Sequence, residues 1–358
     1  MQLFNKGKQM KLLVSALEHS ANIHLKSVVE KLDNNVELVG IFDSSLGEPL
    51  IDMRKLSIMG FVDALKKLLF FFKLNTKMLQ LAKDADKILL IDSSAFNLQL
   101  AKKIKKRYPD KEITYYILPQ AWVWKKKRIP VLEKNIDNLC SILPFEKDYY
   151  SKNAPIKYVG HPLLDQITTF KSSLNKEVKN IVFMPGSRKT EIAKLMPIYH
   201  QVQQELSAIK ATLIIPEYFT DEDIAELYGD IVHFQIVKEP HHALLNADFA
   251  FICSGTATLE ASLIGTPFIL SYIAKPLDFF IAKKFIKITH VGLANIMFTK
   301  QNKEPIHPEF LQEDVTSQNL LESFRKYDRE EFFRDSKALR EYLRNGSSQN
   351  VADILQTN

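Results

Sequence analysis

Cys253-Ser-Gly-Thr-Ala-Thr-Leu-Glu-Ala-Ser-Leu-Ile-Gly-Thr-Pro267 is the stretch on which the fold turns. Ahead of it, residues 249–252 form an unbroken apolar run, the pattern of a strand buried on both faces. Small and hydroxylic residues follow at 254–258, residues 259–264 suit a helix, and Gly265-Thr266-Pro267 stops it. A strand turning sharply into a helix leaves backbone N–H groups unpaired, and the helix dipole adds positive potential there. Such a turn seats an anion or is simply capped. In the first case Ser254, Gly255, Thr256 and Ala257 surround the anion, and Glu260 accepts hydrogen bonds from a ribose or sugar hydroxyl.

The same pattern recurs on the N-terminal side. Residues 180–184 read as a strand, followed by Pro185-Gly186-Ser187-Arg188 and a helix through 206. Gly186 and Ser187 offer backbone amides, and Arg188 offers a fork of donors suited to phosphate. Residues 212–215 and 232–236 are further strands, and Asn295 lies in a loop, 292–296, as a candidate amide for the same donor ligand. Earlier apolar runs at 11–17, 36–42, 87–91, 113–117, 139–143 and 157–159 alternate with helical segments. Alternating strands and helices predict parallel sheets with ligands at the strands' C-terminal ends. The expected fold is therefore α/β, with two βα-repeating, parallel-sheet domains at 1–162 and 163–339.

Three features of the first half stand at strand ends. Glu18, His19 and Ser20 open a loop ahead of a helix at 23–32. Asp92 directly follows a buried strand, where a carboxylate serves as a general base or, like Ser93, as a helix cap. The loop 118–124 holds both tryptophans, Trp122 and Trp124, either as core or as walls of a site for a sugar or acyl chain.

The 358 residues carry a net charge of +6, with 46% hydrophobic and 25% charged residues, as in a globular protein of two domains. No run reaches the roughly 18–20 apolar residues of a membrane span, and the polar N-terminus lacks an apolar signal core, which predicts a cytoplasmic protein. Cys140 and Cys253 lie far apart in apolar contexts and form no metal-ligand spacing. Basic runs at 102–107 and 125–128 suit anionic substrates, an anionic membrane face or plain solvation, and no nucleic-acid motif accompanies them. Residues 56–74 read as a helix carrying Phe70-Phe71-Phe72 among lysines. That mixture suits a membrane-surface element, with packing on the sheet as the alternative. Residues 276–288 mix Phe and Lys in the same way.

Taken in order, Met59-Gly60-Phe61, Ile91-Asp92, Trp122-Val123-Trp124-Lys125, Leu143-Pro144-Phe145-Glu146-Lys147, Val159-Gly160-His161-Pro162, Met184-Pro185-Gly186-Ser187-Arg188, residues 254–260 and Pro308-Glu309-Phe310-Leu311-Gln312-Glu313 resemble the lipid-A-disaccharide synthase family over nearly the whole chain. The resemblance implies a GT-B glycosyltransferase: two Rossmann-like domains around a central cleft, with a C-terminal helix, about 340–358, packed back on the first. It implies transfer from UDP-2,3-diacylglucosamine to 2,3-diacylglucosamine 1-phosphate (lipid X). The products are the β(1→6) disaccharide 1-phosphate and UDP, formed with inversion and without a metal or other cofactor. Peripheral contact with the inner face of the cytoplasmic membrane follows, and a homodimer stays open. Asp92 then falls on the family's acid after the strand, as base or acceptor-orienting residue, and Glu18 and Ser20 on its first-loop acid and serine. Arg188 and Ser254-Gly255-Thr256 would hold the diphosphate, and Glu260 the ribose. Leu17, Ala21 and Asn22 replace the family's usual Gly, Gly and Asp, and Ala95 replaces a second Asp. Two other readings share the architecture: a UDP-N-acetylglucosamine 2-epimerase-like enzyme and a non-enzymatic nucleotide-sugar-binding protein.

Overall fold

A computed structural model describes residues 9–33, 35–52, 64–123, 125–275 and 289–357, with side chains from Leu69 onward in the third segment. The chain divides into two compact units, one formed by the residues up to Asp165 together with those from Leu343 onward, the other by Gln166–Tyr342. Seven strands build the first: β1 Met10–Ser15, β2 Val36–Phe42, β3 Ile51–Asp52, β4 Lys87–Ile91, β5 Ile113–Tyr116, β6 Asn138–Ser141 and β7 Ile156–Tyr158. They pair in parallel in the order β3-β2-β1-β4-β5-β6-β7. Six build the second: β8 Asn180–Met184, β9 Lys210–Ile214, β10 Gln235–Val237, β11 Phe249–Cys253, β12 Phe268–Tyr272 and β13 Glu309–Leu311. These are parallel too, in the order β10-β9-β8-β11-β12-β13.

Both orders reverse direction once, between β1 and β4 and between β8 and β11. At such a switch point the two connections leave toward opposite faces and open a crevice at the strands' C-terminal ends. The alternation of side chains along each strand explains how both faces are filled. Leu13, Ile88, Leu90 and Tyr115 enter one core, and Leu12, Val14, Leu89, Ile91 and Tyr116 the other. The second core also takes in Val351, Ala352 and Leu355 from the C-terminal helix Ser347–Gln356. That helix is fastened at its start. The Asp165 carboxylate accepts from Gly346 N at 2.6 Å and Ser348 N at 2.7 Å, and the Tyr116 and Ser347 hydroxyls are 2.8 Å apart.

Some elements differ from expectation. The first helix spans His19–Val29, so Ser20, Ala21 and Asn22 are helical rather than a loop. Asn22 makes this possible: its amide donates to Ala16 O at 2.9 Å and Glu18 O at 2.8 Å, and it accepts from Asp43 N at 2.7 Å. The Phe-bearing helix spans Ala64–Asp84, ten residues beyond the expected end, while 56–63 lie outside the described residues. Trp124 and the stretch 276–288 also lie outside them. Strands β3, β12 and β13 are additional to those expected.

Candidate functional site

In the first unit the switch point gathers Glu18, which follows β1, and Asp92, which follows β4. Asp92 and Ser93 both have left-handed backbones, φ 49° and 40°, a conformation that non-glycine residues adopt at a cost of about 1–3 kcal/mol each. The surroundings hold it. Asn97, fully buried, donates to Ile91 O at 3.1 Å and Asp92 O at 2.9 Å, and accepts from Ser15 Oγ at 2.6 Å. The Tyr115 hydroxyl donates to Asp92 O. The kink leaves the Asp92 side chain half-buried at the strand end. Burial raises its pKa, and the nearby Glu18 charge raises it further, against a backbone N–H donated by Ser93. The Ser93 hydroxyl donates to Glu18 Oε1 at 2.9 Å, so the two acids share one polar edge. Ser20 is exposed as the second residue of the adjoining helix. A half-buried carboxylate held off its usual acidity suits a general base.

In the second unit the switch point gathers Gly186, Ser187 and Arg188 after β8 with Ser254, Gly255, Thr256 and Ala257 after β11. Arg188 caps the helix Lys189–Glu205, and its guanidinium donates to Glu191 Oε1 at 2.8 Å while remaining largely exposed. Gly255 caps the helix Thr256–Ile264 without a side chain, so the first amides of that helix have no side-chain cap. A Cβ placed on Gly255 would meet nothing within 4 Å. Glu260 sits on the same helix face as Thr256, four residues on, and its Oε1 lies 3.2 Å from His241 Nδ1. Donor amides, a guanidinium and a carboxylate along one crevice can hold a diphosphate and a diol.

Three calls are corrected. Trp122 is 5% exposed and packs edge-on against Phe145, ring centroids 4.9 Å apart, so of the two readings it takes that of core. Asn295 is helical and fully buried; its amide donates to His307 O and Glu309 Oε1, both at 2.8 Å, so it is unavailable to a ligand. The Phe70–Phe72 triplet is divided: Phe70 and Phe71 pack on the core, whereas Phe72 is 62% exposed, beside Leu69 at 55%. Lys103 Nζ stands 4.7 Å from the Phe72 ring centroid.

Tyr218, His241 and the cap role of Glu191 escaped the sequence reading. Tyr218, 65% exposed, follows β9, and its hydroxyl donates to Ser187 O at 2.6 Å. An exposed aromatic after a strand was the available signal. Both cysteines are buried thiols, pushed up to about 12 by burial, and so are poor nucleophiles.

Comparison with known proteins bears on the family and the fold. Residues 12–353 match the family model of lipid-A-disaccharide synthetase. A lipid-A-disaccharide synthase of Helicobacter pylori (strain Shi470) is 48% identical over 354 residues, 96% of this chain and 97% of that protein. One from Campylobacter jejuni (strain RM1221) is 45% identical, covering 96% and 98%. Among solved structures, a UDP-GlcNAc 2-epimerase from Neisseria meningitidis superposes with a TM-score of 0.61 at 11% identity, covering 98% of this chain and 99% of that one. Acinetobacter baumannii MurG gives 0.60 at 12%, covering 97% and 99%. At such identities these two neighbours attest the GT-B fold, two Rossmann-like domains, alone. The sequence match is of another order, and by it the chain belongs to the lipid-A-disaccharide synthase family.

Proposed function

We propose that the chain joins UDP-2,3-diacylglucosamine to 2,3-diacylglucosamine 1-phosphate. The acceptor's 6-hydroxyl attacks the donor's anomeric carbon, the bond to UDP breaks, and the hydroxyl proton passes to Asp92. Attack opposite the leaving group turns the α-linked donor into a β(1→6) product. Asp92 is the one acid of the family's usual pair that this chain keeps, since Ala95 stands where the family usually has the second. Glu18 and Ser20 border it on the acceptor side. A positioned base contributes roughly 10²–10⁴-fold. Gly186, Ser187, Arg188 and the turn Ser254–Ala257 receive the diphosphate and offset the charge that develops on leaving UDP. Glu260 takes the ribose, and no metal is assigned to the step.

One observation carries this reading above all: two glycine-bearing turns, one with an arginine, meet at the β8/β11 switch point of a chain whose family makes the lipid A disaccharide. The family membership also disfavours the epimerase and the non-enzymatic alternatives. Acylated substrates lie in a membrane, and Phe72 and Leu69 beside Lys103 suit peripheral contact with its cytoplasmic face. Among the described residues no helix is long and apolar enough to cross a membrane.

The test is direct. The protein is mixed with UDP-2,3-diacylglucosamine and lipid X, and UDP and the disaccharide 1-phosphate are sought by mass spectrometry. Release of UDP without a disaccharide, or no turnover at all, would reject the proposal.

A further inference from the structure

His241 belongs to no motif that led to the donor turn, yet its ring touches that turn's helix. It is the second residue of the short helix Pro240–Asn246, which follows β10. Glu239 fixes the start of that helix, its two oxygens accepting from His241 N at 3.0 Å and His242 N at 2.7 Å. Glu239 is thereby committed to backbone, and the His241 ring is directed elsewhere, to Glu260 Oε1 at 3.2 Å. Both side chains are largely withdrawn from water, 31% and 21% exposed. Burial raises the pKa of Glu260 and the contact with His241 opposes that rise, so the imidazole favours the ionised carboxylate. No partner among the described residues occupies Glu260 Oε2. A long carboxylate side chain has several rotamers, and fixing one oxygen leaves the other presented in a single direction.

We infer that His241 is a positioning residue for nucleotide recognition: by holding Oε1 it aims Oε2 at a vicinal diol, the feature that distinguishes a ribonucleoside diphosphate from its deoxy analogue. This rests on the assignment of the β8/β11 crevice to the donor. The pair selects for the sugar hydroxyls and leaves the diphosphate contacts to Arg188 and the Gly255 turn. His241 touches no reacting atom.

The experiment measures UDP and 2′-deoxy-UDP binding by calorimetry to the full chain and to His241→Ala, His241→Asn, Glu260→Gln and Arg188→Ala. Loss of one aimed hydrogen bond to a charged group corresponds to about a tenfold change in affinity. His241→Ala should weaken UDP by that factor and 2′-deoxy-UDP by much less. His241→Asn, which can donate from a similar place, should restore most of the difference. Equal loss for both nucleotides, or no rescue by Asn, would reduce His241 to a structural contact and overturn the inference. UDP affinity weakened by Arg188→Ala and Glu260→Gln but untouched by His241→Ala would overturn it while sparing the donor assignment. UDP affinity unchanged in Arg188→Ala and Glu260→Gln would remove the donor assignment itself.

Discussion

A Cβ on Gly186 would stand 2.7 Å from Glu191 Oε2 and 3.1 Å from Glu191 Cβ, so the Glu191 side chain that caps the Arg188 turn would have to shift. The same glycine has φ +109°, a backbone that L side chains rarely adopt. Gly186→Ala should therefore destabilise the protein by roughly 1–3 kcal/mol, the cost of a strained backbone, and loosen the Arg188 turn. Thermal melting and UDP titration should both respond.

Gly255 predicts the opposite division. Its backbone is extended and its Cβ position is empty to 4 Å. Gly255→Ala should melt like the parent within about 1 kcal/mol. UDP affinity should nonetheless fall, because the methyl group occupies the side from which a ligand approaches. Unchanged affinity would show that the nucleotide does not use this turn.

Asp92→Ala should abolish disaccharide formation while UDP binding survives. The acid limb of the rate profile offers a finer check. As a base Asp92 must be ionised, and burial first, then Glu18, raises its pKa. Removing the like charge with Glu18→Gln lowers that pKa, so the limb should move to lower pH. A limb that stays in place would dissociate Asp92 from the observed titration.

Glu146 is 1% exposed, with Ser141 Oγ donating to it at 2.5 Å. Burial pushes its carboxyl up to about 7. The folded state thus prefers the protonated form, and its contribution is complete below the unfolded value, near 4.3, and lost as pH rises through 7. The difference in stability between the parent and Glu146→Gln should shift in favour of Gln by on the order of 3 kcal/mol across that window. Urea titrations from pH 5 to pH 8 would measure it.

For membrane contact the divided triplet separates two effects. Phe72→Ser should cut co-sedimentation with anionic liposomes by roughly tenfold, since burying a Phe is worth about 1.5–3 kcal/mol, and leave the melting temperature alone. Phe71→Ser should lower the melting temperature, because Phe71 packs on the core and on Phe96, ring centroids 6.0 Å apart.

Strands that are apolar on both faces were legible: residues 36–42 and 180–184 are strands to the residue. β13 was not, because Glu309-Phe310-Leu311 is half-exposed and too short for a pattern. The early start of the first helix was not legible, because the Asn22 side chain ties the helix to the ends of β1 and β2, donating to Ala16 O and accepting from Asp43 N, contacts that depend on those strands already lying together. Asp92 and Arg188 were legible from their place after apolar strands. The burial of Trp122 and Asn295 was not, since the partners that cover Trp122, Phe145 and Tyr149, are more than twenty residues away. Glu309 and His307, which bind Asn295, likewise depend on how β13 docks.

The return of residues 343–358 to the first unit has a consequence for the order of assembly. A ribosome completes the second unit's sequence before it makes the helix that supplies Val351, Ala352 and Leu355 to the first unit's core. Until that helix emerges, Leu12, Val14, Leu89 and Ile91 lack part of their cover, and Asp165 lacks both amides it accepts from. The first unit, although its strands are synthesised first, is finished last, so a chain stopped short of Gly346 leaves its sheet open to chaperones and proteases.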